Sequence, residues 1–213
     1  EYARVVVQGG IVAGRDQRNA CMRHLRDLER QDTDSFPYHW DEEKANKILR
    51  FAEMLEIAEG TEPKKLILMP FQAFILGSLF GWINSKGFRR FRISYTEMAR
   101  QNGKSFLNGV ECPYIMQFSG YRYGQCYTTA TKHSQSMIVW NEVMKFIRSD
   151  TDLEELFEIK EYNSLITCRD THCTLEALSR DRQKLDGFRS IWASVDELHQ
   201  HQDNSIYKAI VNG

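Results

Sequence analysis

Seven consecutive residues, Ala99-Arg-Gln-Asn-Gly-Lys-Ser105, carry the strongest chemical signal in the chain. They lie between an expected strand over residues 91–95 and an expected helix over 104–118, the context a phosphate-binding loop needs. Gly103 lets the backbone turn tightly and approach a phosphate. The helix that follows offers unpaired N–H groups and the positive end of its dipole. Lys104 can reach β- and γ-phosphates, and the Ser105 hydroxyl can ligate Mg²⁺. One position departs from GxxxxGK[ST]: Met98 stands where the first glycine belongs.

A second signal lies downstream. Ile191-Trp-Ala-Ser-Val195 reads as a buried strand, and Asp196-Glu197 follow at its carboxyl end. Ligands sit outside the carboxyl ends of strands in α/β sheets. An aspartate there can hold the Mg²⁺ hydration shell, and a glutamate directly after it can polarise an attacking water as general base. The pair therefore points to hydrolysis rather than phosphoryl transfer to a small acceptor; the bland alternative is a solvated acidic strand end. A third, weaker signal is Pro70-Phe-Gln72. A glutamine amide matches the adenine N6 and N7 edge, although the bland alternative is an ordinary glutamine at a helix start.

These residues need elements to hold them. Beyond 91–95, strands are expected at 125–131, 162–168, 172–177 and 190–195, with helices at 134–148 and 204–211. Strands alternating with helices predict an α/β fold with a mostly parallel, doubly wound sheet. The N-terminal zone reads as helical, over 16–30 and 41–59, with Asp41 as N-cap, and residues 71–83 form a further apolar helix. Two parts are expected: an N-terminal helical arm or lid over 1–64 and a nucleotide-binding core over 65–213.

Composition supports one large packed core. The 213 residues are 42% hydrophobic and 27% charged, with a net charge of −1, so bulk charge makes no case for a generic nucleic-acid binder. The five cysteines, Cys21, Cys112, Cys126, Cys168 and Cys173, form no CxxC pair. Reduced thiols are the simple reading, with Cys168, His172 and Cys173 only a faint imitation of a metal site. No apolar run is long enough to span a membrane. The first residue is not methionine, and the chain is expected to be part of a longer protein.

Several blocks occur in one order: Tyr2-Ala-Arg4, His24-Leu-Arg-Asp-Leu-Glu29, Met69-Pro-Phe-Gln72, Phe80-Gly-Trp82, Gly87-Phe-Arg-Arg90, Ala99 to Ser105, Ala130-Thr-Lys132 with Gln135, Leu185-Asp-Gly187, and Val195-Asp-Glu-Leu-His199. Together, across almost the whole chain, they resemble the large terminases of tailed bacteriophages. The resemblance implies a P-loop NTPase of the additional-strand (RecA-like) type. The loop around Arg100 is similar to that family's variant Walker A motif, which typically lacks the first glycine, so Met98 is expected there. Val195-Asp196-Glu197 matches its Walker B motif and catalytic glutamate, and Gln72 its adenine-recognition glutamine. The implied ATP-binding set is Gln72, Arg100, Gln101, Asn102, Gly103, Lys104, Ser105 and Phe106. Ser105 and Asp196 are the implied Mg²⁺ ligands, and Glu197, Lys104 and Arg100 the catalytic groups. The resemblance also implies pumping of double-stranded DNA into a procapsid in the host cytoplasm. The implied partners are the portal protein, a small terminase subunit and further copies in a ring. The family's C-terminal nuclease is not expected within these residues.

Secondary candidates remain open at the level of sequence. Arg100 can contact the γ-phosphate, or orient the loop by pairing with an acidic residue. Arg180, Arg182 and Arg189 are each a candidate for an arginine that completes a neighbouring subunit's site. Lys86, Arg89, Arg90 and Arg92 form the densest basic cluster, suited either to DNA phosphates or to the acidic N-terminal zone. His199 and His201, with Asp203, imitate a metal cluster but read as loop residues that sense nucleotide state. The competing functions are a helicase-like P-loop ATPase and a nucleotide-binding assembly module without turnover; the intact Lys104, Ser105, Asp196 and Glu197 argue against the latter.

Overall fold

The computed structural model describes residues 1–57, 64–178, 190–201, 203 and 205–212. In chain order the elements are α1 (Tyr2–Val7), α2 (Arg15–Glu29), β1 (Tyr38–Trp40), α3 (Glu42–Met54), β2 (Glu56–Ile57), β3 (Lys64–Lys65), α4 (Pro70–Gly81), β4 (Trp82–Asn84), α5 (Lys104–Phe118), β5 (Gln125–Thr129), α6 (His133–Arg148), α7 (Thr151–Glu155), β6 (Phe157–Lys160), β7 (Leu165–Cys168), β8 (Thr174–Leu178), β9 (Ser190–Val195) and α8 (Ser205–Asn212). They gather into two compact units, residues 1–54 with 67–97, and residues 55–66 with 98–213.

In the first unit, α1 and α2 close over Ala3, Val6 and Cys21, with Leu25 and Phe74 packed against them. Asp41 caps α3, its Oδ1 accepting from the Lys44 N–H at 2.9 Å. α4 is apolar all round, as a helix with neighbours on several sides must be. Its Gly81 admits the Trp40 ring, since a Cβ there would lie 2.8 Å from it and 2.9 Å from the Ala45 Cβ. β1 and β4 pair antiparallel with Trp40 opposite Trp82. Beneath them Asp27 is fully buried and grips Arg90 at 2.6 Å and Arg30 at 2.7 Å. Arg90 is also stacked against Phe36 and Phe91. Of the two readings of the 86–92 basic cluster, Arg90 thus takes the internal one: it pairs with an acid of the N-terminal zone.

The second unit is built on a five-stranded sheet ordered β6-β7-β8-β5-β9. β5 lies between β8 and β9 and is parallel to both, with Thr129 opposite Leu178 and Val195. β7 runs antiparallel to β8 and to β6. The sheet is therefore mixed, which corrects the expectation of a mostly parallel one. β7 returns to β8 through the short segment 169–173, and a connection that short permits only antiparallel pairing. α5 and α6 pack together. Gly109 sets their approach, because a Cβ there would lie 2.8 Å from the Phe146 ring.

Two further expectations are corrected. Residues 91–95 form no strand, and residues 92–95 are exposed. Alternating residues make a strand only where a neighbour supplies the other half of the hydrogen bonds, and none of the described strands pairs with them. The helix expected over 41–59 stops at Met54. Glu56 and Ile57 instead pair with Lys65 and Lys64, and the Glu56 N–H donates to Ser149 Oγ at the end of α6 at 3.2 Å.

Candidate functional site

β5 and β9 end side by side, and the Asp196 N–H donates to the Thr129 carbonyl at 2.9 Å. That bond carries the sheet ladder one residue past β9 and places Asp196 and Glu197 at the carboxyl ends of the parallel pair β5 and β9. α5 starts at the same end, so Lys104 Nζ lies 2.6 Å from Asp196 Oδ1 and 3.6 Å from Glu197 Oε1. The hydrogen bond that Lys104 donates to Asp196, with both carboxylate charges, raises the Lys104 amine against its partial burial. The lysine therefore stays charged at any physiological pH.

The loop before α5 is shaped by its own atoms. Gln101 has φ 64° and Gly103 φ 83°, so the chain reverses twice through left-handed conformations. Glycine makes the second reversal without strain. Asn102 Nδ2 donates to the carbonyls of Ala99 at 3.1 Å and Arg100 at 3.0 Å. Gly103 is the N-cap of α5 and supplies no capping side chain, so the first-turn N–H groups of Lys104, Ser105 and Phe106 are unclaimed by a cap. An anion suits that position. The Phe106 ring itself turns away and meets Phe146 edge-on, with centroids 5.4 Å apart, which leaves its backbone N–H as its offering to a phosphate.

Glu197 takes a left-handed conformation, φ 49° and ψ 46°, at the N-cap of a short 3₁₀ turn over Leu198–Gln200. Its N–H donates to Asp196 Oδ1 at 2.9 Å. His201 Nε2 donates to the Asp196 carbonyl at 3.2 Å, and His199 Nδ1 lies 3.5 Å from Glu197 Oε2. Both histidines thus touch the acidic pair rather than a metal cluster, and no cluster of three metal-ligating side chains occurs among the described residues. All five cysteines are free and buried.

Three groups of candidates remain. Arg100 is exposed within the loop. Gln72 belongs to the first unit, in the first turn of α4, where its Oε1 accepts from the Met69 N–H at 2.9 Å. Arg180, Arg182 and Arg189, like Leu185-Asp-Gly187, lie outside the described residues. Sequence reasoning passed over Asn108, Glu111, Trp192 and Ser194, which join α5 to β9 just behind the site. Asn108 Nδ2 donates to Ser194 Oγ at 3.0 Å, and Trp192 Nε1 donates to Glu111 Oε2 at 3.2 Å. Their spacing, 104, 108 and 111 on a helix against 196, 194 and 192 on a strand, is the signal that would have found them.

Residues 70–213, well over half of the chain, match the family model described as "Terminase large subunit, ATPase domain". The chain belongs to this family. The structure is also similar to the crystal structure of the HK97 bacteriophage large terminase, with a TM-score of 0.66 at 21% identity over 79% of this chain. At that identity the likeness speaks for the fold. The terminase ATPase domain described here spans about a third of the length of that protein (34%). No curated protein sequence matches the chain. Among the described residues no helix is long and apolar enough to cross a membrane.

Proposed function

We propose that this terminase ATPase domain hydrolyses ATP and that the hydrolysis drives double-stranded DNA into a procapsid. The observation that supports it best is the meeting of Lys104, at the uncapped start of α5, with Asp196 and Glu197 at the end of β9. A phosphate-binding lysine at a helix start and an acid pair beside it are the parts a Mg²⁺-triphosphate site needs.

We assign roles on the meeting of Lys104, Asp196 and Glu197 and, for the other residues, on the family resemblance. Backbone N–H groups of the loop and the first turn of α5 hold the phosphates. Lys104 exchanges Asp196 for phosphate oxygens, which frees the aspartate. Ser105 Oγ and the freed Asp196 carboxylate are hard oxygen donors, the kind Mg²⁺ takes. Mg²⁺, when bound, supplies Lewis-acid charge at the phosphates. Glu197 takes the proton of the attacking water. Arg100 adds positive charge from within the loop, Gln72 reads the adenine edge, and one of Arg180, Arg182 and Arg189 serves a neighbouring copy. In functional terms residues 1–64 act as an arm and 65–213 as the ATPase core. The partners are DNA, the portal protein, a small terminase subunit and further copies in a ring, in the host cytoplasm.

The deciding experiment measures nucleotide binding and turnover in Glu197→Gln protein. Binding of Mg²⁺-ATP is expected to persist while hydrolysis falls about 10²–10⁴-fold, the usual cost of losing a general base. A loss of only a few-fold removes Glu197 from that role.

A further inference from the structure

Behind the acid pair, α5 and β9 are joined by three polar rungs. Lys104 meets Asp196 at 2.6 Å, Asn108 meets Ser194 at 3.0 Å, and Glu111 meets Trp192 at 3.2 Å. Helix positions stepping by four and then three share one face, and strand positions two apart share one face. Seven helical residues advance about 10.5 Å and four strand residues about 13 Å. The two spacings nearly agree, so an antiparallel helix and strand can match rung for rung over this length.

We propose that the lower two rungs set the register of α5 against β9, and that Asn108, Ser194, Glu111 and Trp192 are positioning residues of the hydrolytic site. The proposal rests on the ATPase reading above. The top rung cannot hold the register during turnover, because Lys104 must leave Asp196 for the phosphates. The lower rungs contain no group the phosphates require, so they persist through that exchange. A slip of one helical residue moves α5 by about 1.5 Å and turns it by about 100°, which carries Lys104 and Ser105 off the acid pair. Displacements of about 1 Å at a reacting centre cost on the order of 10²-fold in rate.

The chemistry of the rungs favours register over bulk stability. Leu107 and Val110, adjacent to the rung residues on α5, are buried and provide the apolar packing. Apolar contacts tolerate sliding, whereas a directional hydrogen bond to a largely buried hydroxyl is satisfied in one alignment. Ser194 is 9% exposed, so any other alignment strands its hydroxyl.

The test uses the full chain with Ser194→Ala, Asn108→Ala, their double variant and Ser194→Thr. Each alanine variant is expected to lower kcat for ATP about tenfold with KM within about twofold. The double variant should be no slower than the slower single, because both remove the same rung. Ser194→Thr, which keeps the hydroxyl, should restore most of kcat. A second readout needs no turnover: affinity for a non-hydrolysable fluorescent ATP analogue with and without Mg²⁺. Ser194→Ala should keep the Mg²⁺-free affinity and lose the gain that Mg²⁺ brings. Additive losses in the double variant, failure of threonine to rescue, or an unchanged kcat and Mg²⁺ gain in both single variants each overturn the ladder. Lys104→Ala and Glu197→Gln run in parallel; retained turnover in those two overturns the assigned hydrolytic site, and absence of turnover in the unaltered protein overturns the ATPase reading, so these failures are distinguishable from failure of the ladder.

Discussion

Lys104 owes its place to one short ion pair, and its substitution is the sharpest residue-scale test. Lys104→Ala is expected to abolish nucleotide binding or turnover, because the phosphates lose their main point charge; near-normal hydrolysis in that variant would remove the phosphate-loop assignment. Asp27 carries the first unit in a comparable way. Burial pushes its carboxyl up, but the bonds from Arg90 and Arg30 outweigh burial and hold it below the usual range. Asp27→Ala leaves two guanidinium groups without their buried partner and should cost about 3–5 kcal/mol, read from urea unfolding. His24 adds a pH dependence. Burial is the main force pulling its imidazole from 6.5 to about 4, and its Nδ1 accepts from Trp82 Nε1 at 3.1 Å. Between those two pH values the unfolded chain binds a proton that the folded one refuses, so stability falls as pH drops through that window. The lowered Asp27 carboxyl acts in the same direction, its contribution being lost as pH falls through its folded value. Stability at pH 4.5 should lie below that at pH 7 by on the order of 1–3 kcal/mol, measured by urea titration of tryptophan fluorescence. His24→Gln, whose amide oxygen can still accept from Trp82, should flatten that slope.

At the scale of elements, the approach of α5 to α6 depends on the missing side chain at Gly109. Alanine there would set its Cβ 2.8 Å and 2.9 Å from Phe146 ring atoms and 3.0 Å from Glu142 Cγ. Overpacking of that kind costs about 1–3 kcal/mol, more than the roughly 1 kcal/mol that alanine gains in a helix. Gly109→Ala should therefore lower the melting temperature. A melting temperature that rises would show the α5–α6 contact to be looser than the structure has it. α5 is the element that both meets α6 through Gly109 and presents Lys104, Asn108 and Glu111 to β9, so its seating bears directly on the site.

For the whole molecule, the proposed ring makes activity a collective property. With net charge −1, bulk electrostatics give the domain little drive to concentrate on DNA by itself. An arginine supplied by a neighbouring copy would make a dilute monomer a poor ATPase. Specific activity should rise with protein concentration, or when portal and DNA organise the ring. Among Arg180→Ala, Arg182→Ala and Arg189→Ala in the full-length protein, one should lower turnover and leave nucleotide affinity nearly unchanged, because such an arginine acts on transition-state charge. Mixing that variant with Glu197→Gln protein should restore part of the activity, since a mixed ring contains interfaces with both groups intact. Full activity in a dilute, demonstrably monomeric sample would sink the shared-site idea and leave the ATPase assignment standing.

Local chemistry was readable from the chain alone. Gly103-Lys-Ser105 had to sit in a turn followed by a helix, because glycine admits the left-handed reversal and the residues after it carry helical spacing. α5 falls over residues 104–118 as expected, and β9 ends at Val195 just before Asp196. The Asp41 cap was legible for the same reason, since a cap is satisfied within three residues. Pairings between distant segments were not legible. Nothing local in residues 91–95 distinguishes a paired strand from an unpaired one, nor told Arg90 to choose Asp27 over DNA. The antiparallel turn of β7, the addition of β6 and the rungs of Asn108 on Ser194 and Glu111 on Trp192 were decided by tertiary structure. A hydrogen bond between residues 86 apart (Asn108 and Ser194) depends on how every intervening element packs, and local periodicity can say which face a residue shares but not what that face will meet.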